Sequence, residues 1–129
     1  MGNAPHTSYH DDPSVDELVN ETIGRVADKW TLLIIESLEE GGTRRFSELG
    51  RTLPGISQKM LTQTLRQMER EGLVVRTAYP EVPPRVEYSL TDMGRDLAEA
   101  FCGVWQWAER NIVQIEQARA HYDRRQARK

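Results

Sequence analysis

One predicted helix, covering residues 57–71, carries its polar side chains on a single side. With about 100° between neighbouring residues, this side holds cations and amides and no acid, whereas Met and Leu side chains gather opposite. Helix surfaces that face only water usually mix both signs of charge, so the pattern favours contact with an anion, although it also arises by chance. The polar side is formed by Lys59, Thr62, Gln63, Arg66 and Arg70.

Charge is distributed unevenly along the 129 residues, which carry a net charge of −3. Residues 1–42 hold two basic and nine acidic side chains, residues 43–85 hold eight basic and four acidic, and residues 86–129 hold seven of each. Screening confines each charge to about 8–10 Å at cellular salt, so local charge governs contact with a polyanion. The central region is therefore the candidate contact surface.

The composition leaves few function classes other than binding. With 38% hydrophobic residues, the chain can form a single domain with one core. It contains no apolar stretch of membrane-spanning length and no apolar signal region, so we expect a cytoplasmic protein without membrane contact. His6 and His10 could share a metal, but solvated histidines are the simpler interpretation. With one cysteine and no Gly-rich phosphate loop, the sequence predicts neither an enzyme nor a cofactor.

Hydrophobic periodicity predicts four helices in the first part of the chain. Residues 1–12 lack periodicity and are expected to form a flexible arm, and a helix with an apolar stripe follows over residues 13–26. Residues 30–38 are apolar on nearly every side, which is typical of a helix buried at the centre of a domain. A short helix over residues 46–53 and a Pro-Gly turn precede the helix of residues 57–71.

Capping residues support these boundaries. Asp28 and Ser57 are placed to cap the second and fourth helices, and Thr91 to cap a last helix. Glycines end two of the helices, at Gly41-Gly42 and at Gly72.

After Gly72 the apolar period becomes alternating, which indicates two strands joined by a Pro-rich tip. The alternating residues are Val75, Thr77 and Tyr79, followed by Val86, Tyr88 and Leu90. The predicted fold is mainly α with a small β-hairpin, in one domain of residues 13–122 that ends in a long helix and a frayed basic tail, residues 123–129.

A buried helix, a helix-turn-helix pair and a hairpin are the elements of a winged helix-turn-helix. In that fold the second helix of the pair enters the major groove and the hairpin touches the flank. The acid-free side lies on that second helix, so the sequence predicts double-stranded DNA as a partner. The alternative is a winged-helix module that binds only other proteins.

Three stretches resemble the HxlR-type transcriptional regulators, which are relatives of the MarR-type winged helices. They are "KWTLLII" at 29–35, "RRFSELGRTLPGISQKMLTQTLRQMEREGLV" at 44–74 and "YPEVPPRVEYSLTDMGRDL" at 79–97. The resemblance covers roughly residues 13–110. It implies a dimeric bacterial DNA-binding regulator, often of genes for stress or detoxification.

Two positions depart from the family pattern. Many redox-sensing members carry a Cys-Pro pair before the first helix, where this chain has Asp12 and Pro13, so a thiol switch there is not expected. The family also tends to have a glycine pair before the Lys-Trp, where this chain has Ala27 and Asp28, which would stiffen the joint between the first two helices.

The chemistry of the helix 57–71 suggests how DNA would be contacted. The Gln63 amide can form two hydrogen bonds with adenine, and the Thr62 methyl group can pack on thymine. Lys59 and Arg70 suit phosphates, and Arg66 suits a phosphate or a guanine.

Other expected contacts flank this helix. Ser57 and the free amides at the start of the helix suit a phosphate. In the predicted wing, residues 79–87, the two prolines before Arg85 are expected to hold the Arg85 side chain outward, toward a minor groove. The complete set of expected DNA-binding residues is Arg44, Arg45, Ser57, Gln58, Lys59, Thr62, Gln63, Arg66, Arg70 and Arg85.

The last helix, expected to run from residue 95 to about 121, has a heptad-like apolar seam. At about 1.5 Å per residue it would be ~40 Å long, more than this domain can cover, so we expect a homodimer on a pseudo-palindromic operator. Packing within one chain is the alternative. The expected dimer residues are Leu18, Leu97, Phe101, Val104, Trp105, Ala108, Ile112 and Ile115.

Two inputs are compatible with the sequence. Cys102 could be oxidised or alkylated, although a buried structural thiol is the simpler interpretation. A small-molecule effector of apolar character could bind between Trp30, Trp105 and the first helix.

Overall fold

Five helices and three strands follow one another through residues 13–128, which are the residues that the computed structural model describes. The predicted arm of residues 1–12, including Asp12, lies outside them. The helices are α1 (Pro13–Val26), α2 (Lys29–Gly41), α3 (Phe46–Thr52), α4 (Gln58–Arg70) and α5 (Asp92–Arg128), and the strands are β1 (Arg44–Arg45), β2 (Val74–Tyr79) and β3 (Arg85–Leu90).

The predicted capping residues act as expected. The Asp28 carboxylate accepts a hydrogen bond from the Thr31 amide at the start of α2, at 3.4 Å. The Ser57 hydroxyl accepts one from the Met60 amide at the start of α4, at 3.0 Å. Gly72, with φ of 80°, follows the end of α4 in the left-handed region that glycine adopts without strain.

The core forms where α2, α4 and the sheet meet. Ile34 and Leu38 of α2 and Leu65 of α4 are at most 2% exposed, so α2 is the central buried helix that the sequence predicts. The rest of the core consists of Ile35, Leu49, Leu53, Leu61, Met68, Leu73, Val74, Tyr88, Leu90 and Ala98.

The sheet has three antiparallel strands in the order β1-β3-β2, where the sequence predicts only the hairpin of β2 and β3. The additional strand β1 pairs Arg44 with Tyr88 and Arg45 with Glu87. A strand of two residues is too short to show an alternating pattern, so periodicity could not reveal it.

The face of β2 that joins the core begins at Val74. Val74 is paired with Leu90 and is 3% exposed, whereas Val75 is 47% exposed. Because side chains alternate along a strand, the side of β2 that faces α4 also carries Arg76, opposite Tyr88.

The last helix is longer than predicted. It spans 37 residues from Asp92 to Arg128, about 55 Å, and includes most of the stretch 123–129 that was expected to fray. Thr91 caps it as predicted, since its hydroxyl accepts a hydrogen bond from the Gly94 amide at 3.0 Å.

The first turn of α5 lies directly against the start of β2. The Leu73 carbonyl accepts a hydrogen bond from the Thr91 amide at 3.0 Å, and the Thr91 hydroxyl donates to the Gly72 carbonyl at 2.6 Å. A side chain at Gly94 would clash with this carbonyl and would lie 3.1 Å from Leu90 Cδ2. Glycine is therefore needed for α5 to approach the sheet this closely.

Candidate nucleic-acid interface

Helix α4 has one buried face and one exposed polar face. Leu61, Leu65 and Met68 are each 1% exposed, and the Thr64 hydroxyl donates to the Met60 carbonyl at 2.8 Å. Met60, predicted on the apolar side, is 39% exposed and lies at the boundary. The predicted contacts Gln58, Lys59, Gln63, Arg66 and Arg70 are exposed and Thr62 is half-buried, so the structure places them on one outward surface.

The outward surface of α4 is not entirely free of acid. Glu69 lines the same cleft as Thr62 and Arg66, at the edge of α4 that faces the hairpin. The expectation of an acid-free side is therefore wrong at this edge. The part of the outward surface that is formed by Lys59, Gln63 and Arg66 contains no acid, as expected.

Arg70 is paired with an acid at the end of α4. Its Nη1 lies 3.3 Å from Glu71 Oε2, the oxygen that also accepts from Gln67 Nε2 at 3.0 Å and from Arg25 Nη1 at 3.1 Å. Glu71 thereby joins α1 to the end of α4, and the charge of Arg70 is partly compensated.

The wing, defined here as β2, β3 and the turn between them, holds Arg85 differently from the prediction. Its Nη2 lies 2.8 Å from Glu81 Oε2, its Nη1 lies 2.9 Å from Glu87 Oε2, and its guanidinium carbon is 3.9 Å from the centre of the Tyr79 ring. The side chain is 26% exposed. The expectation of an outward Arg85 is therefore wrong, because Glu81 of the turn, Glu87 of the same strand and the Tyr79 ring of β2 hold the side chain.

The two arginines of β1 have different environments. Arg44 is half-buried, and its Nε donates to the Ser37 carbonyl at 3.0 Å, so this side chain is directed back toward α2. Arg45 is exposed, and its amide donates to Glu48 Oε1 at 2.7 Å at the start of α3. Of the two, Arg45 remains accessible to a ligand.

A cleft of about 720 Å³ separates α4 from the wing. It brings together predicted contacts from three elements, namely Arg45, Thr62 and Arg66, with Arg85 at the wing. It also contains Arg76, which the sequence analysis did not identify because its face on β2 depends on the strand register. The other lining residues are Phe46, Ser47, Glu69, Pro83, Pro84, Val86 and Tyr88.

The expected dimer residues lie on α1 and α5. Leu18 of α1 is 61% exposed, and Val104, Trp105 and Ile112 of α5 are 58%, 60% and 46% exposed. Four others on α5 are half-buried, namely Leu97, Phe101, Ala108 and Ile115. The exposed members leave two apolar surfaces uncovered in the single chain.

Cys102 is exposed in the single chain, so its thiol would be buried only by a second copy. It lies beside a shallow depression lined by Glu39, Asp96 and Glu99. Among residues 13–128 no helix is long and apolar enough to cross a membrane, and no group of three or more metal-binding side chains is found.

Comparisons of sequence give consistent matches. The model of the HxlR-like helix-turn-helix family matches residues 25–116, a range that includes α2 to β3. The uncharacterized HTH-type transcriptional regulator YtfH of Escherichia coli (strain K12) is 43% identical over 95 residues, covering 74% of this chain and 75% of that protein. The uncharacterized HTH-type transcriptional regulator YdeP of Bacillus subtilis (strain 168) is 38% identical over 109 residues, covering 82% and 84%.

Solved structures agree with the sequence matches. The ytfH protein of Salmonella typhimurium superposes with a TM-score of 0.70 at 40% identity, over 78% of this chain and 89% of that one. The redox regulator HypR in its reduced form superposes with a TM-score of 0.70 at 38% identity, over 77% and 97%.

Proposed function

The chain belongs to the HxlR-like helix-turn-helix family and is a DNA-binding transcriptional regulator, and we propose that it reads its operator with α4 in the major groove. In this proposal the wing contacts the flanking minor groove, and two copies of the chain bind the two halves of a pseudo-palindromic site. A protein that binds operator DNA in this way would act in the cytoplasm.

One observation carries the proposal, namely the exposed polar surface of α4 opposite its buried face. Lys59 and Arg66 are exposed and form no ion pair with any residue in the described range 13–128. Unpaired cations on a rigid helix can neutralise phosphates without first breaking contacts within the protein. Gln63 lies among them and offers the amide that pairs with adenine in the major groove.

The exposed apolar surfaces of α1 and α5 support the second copy. Val104 and Trp105 are more than half exposed on a helix that extends beyond its own domain. Soluble chains rarely leave large apolar patches uncovered, so burial against a partner stabilises the dimer. Two recognition helices spaced about 34–36 Å apart would then meet successive major grooves.

The experiment is a titration of labelled DNA from the promoter beside the gene, compared with scrambled DNA of equal length across a range of salt. We expect tighter binding to the promoter and a steep loss of affinity with salt. Absence of binding to either DNA, together with a well-folded protein, would favour the protein-association module instead.

Two matched variants separate base reading from phosphate binding. Gln63→Ala should lower the preference for operator over scrambled DNA by about 1–3 kcal/mol, because a base-edge contact is lost. Lys59→Ala should weaken both DNAs alike. Equal losses on both DNAs for both variants would show that Gln63 does not read bases.

A further inference from the structure

We propose that Arg76 on β2 and Arg66 on α4 hold one phosphate strand of DNA from its two sides, within the cleft between α4 and the wing. The inference rests on the proposed docking of α4 and the wing. It adds a binding residue that neither the helix-turn-helix pattern nor the wing tip indicates, and it assigns Arg66 to a phosphate rather than to a guanine.

The position of the strand follows from the geometry of a duplex. Major and minor grooves alternate along DNA, and a single sugar-phosphate backbone separates each from the next. If α4 lies in a major groove and the wing lies on the adjacent minor groove, the backbone between these grooves must pass between α4 and the wing. The space between them is the cleft of about 720 Å³.

Arg76 projects into this space because of the strand register. It is paired with Tyr88, which is 7% exposed, and it shares its face of β2 with the buried Val74. Arg76 itself is exposed, since α4 covers Val74 but leaves the outer part of this face open. Arg76 therefore lines the cleft from the wing side, and Arg66 lines it from the helix side.

The charges in the cleft distinguish Arg76 from Arg85. Arg85 is held by Glu81 and Glu87 at 2.8 and 2.9 Å, so its charge is compensated. Arg76 and Arg66 form no ion pair with any residue that the structure describes. Two unpaired guanidinium groups that line one cleft make its potential positive, so an anion bound in the cleft is stabilised by both.

Glu69 lines the same cleft and opposes an anion there. This carboxylate gives the proposal a second signature, because its removal should act in the direction opposite to the loss of Arg76.

The test uses the full chain and measures operator affinity against salt for Arg76→Gln. The matched control is Arg110→Gln, which removes the same charge from an exposed position on α5 that does not line the cleft. We expect Arg76→Gln to weaken operator and scrambled DNA alike and to reduce the slope of log K against log salt by about 1 per protomer. Arg110→Gln should leave the slope unchanged, and Glu69→Gln should raise affinity for both DNAs.

A second measurement locates the phosphate. Neutral methylphosphonates, placed one at a time along the operator, should weaken wild-type binding most at one position between the major and minor grooves of each half-site. In Arg76→Gln and in Arg66→Gln the same substitution should have little further effect, because the lost contact is the same.

The outcomes separate the two proposals. If wild-type protein binds neither DNA, the proposed function fails. Salt-dependent binding by wild-type protein leaves the proposed function standing. If Arg76→Gln then keeps the wild-type slope of log K against log salt, or shows the same methylphosphonate effects as wild type, the phosphate strand does not lie in the cleft. Should Arg76→Gln melt at a lower temperature, Arg66→Gln, which changes an exposed residue of α4, decides by the same methylphosphonate comparison.

Discussion

Replacing Gly94 with alanine tests the joint between the long helix and the wing. A Cβ at this position would clash with the Leu73 carbonyl, a backbone atom that cannot rotate away, and would lie 3.1 Å from Leu90 Cδ2. The matched control is Gly103→Ala on the same helix, because a Cβ there would meet no atom within 4 Å. Both variants make the same chemical change in a helix.

The expected magnitudes follow from these contacts. Alanine in place of glycine stabilises an exposed helix position by roughly 0.8–1.0 kcal/mol, so Gly103→Ala should raise the free energy of unfolding by about that amount. At Gly94 the same gain is opposed by overpacking, typically about 1–3 kcal/mol, and by weakening of the hydrogen bond from the Thr91 amide to Leu73, worth about 1 kcal/mol. We expect Gly94→Ala to lower the free energy of unfolding by about 1–3 kcal/mol.

The assay is urea denaturation followed by helical circular dichroism, at one protein concentration because the proposed dimer would also contribute to stability. Operator affinity measured on the same samples should fall for Gly94→Ala and stay constant for Gly103→Ala. A Gly94→Ala protein as stable as wild type, or equal shifts in the two variants, would refute the close approach of α5 to Leu73.

Two further predictions concern the dimer and the wing. Val104→Glu should place an unpaired carboxylate in the proposed dimer interface at a cost of several kcal/mol, so this variant should sediment as a monomer. The control Gln106→Glu, on the opposite side of α5, should remain a dimer. A Val104→Glu protein that stays dimeric would show that the interface lies elsewhere. Arg85→Ala should lower the free energy of unfolding by about 1 kcal/mol in urea denaturation, because two partly exposed ion pairs and the stacking on Tyr79 are lost. Unchanged stability would mean that these contacts do not form in solution.

Features set by neighbouring residues were predictable from the sequence. The caps at Asp28 and Ser57 and the stop at Gly72 depend on local hydrogen bonds and on one backbone angle, and all three are confirmed. The winged helix-turn-helix and the long last helix are also confirmed, because their apolar periods are strong.

Features set by pairing between distant residues were not predictable. The alternation predicted Val75, Thr77 and Tyr79 as the apolar face of β2, and this is wrong because Leu73, Val74 and Val75 are three apolar residues in a row and Val74 is the one that joins the core. Pairing of Val74 with Leu90 decides which face joins the core, and that choice also places Arg76 in the cleft. The partners of Arg85 depended likewise on the shape of the turn that brings Glu81 to it.

The length of α5 gives its first turn mechanical importance. A rod about 55 Å long acts as a lever arm, so a rotation of about 5° at its root moves its far end by about 5 Å. Successive base pairs are about 3.4 Å apart, so in the proposed dimer an angular error this small would shift the far end of the helix by more than a full step along the duplex. The close packing of Gly94 on the Leu73 carbonyl limits the rotation of α5 relative to the wing, and in the proposed dimer this limit would determine how precisely the two copies of α4 are spaced.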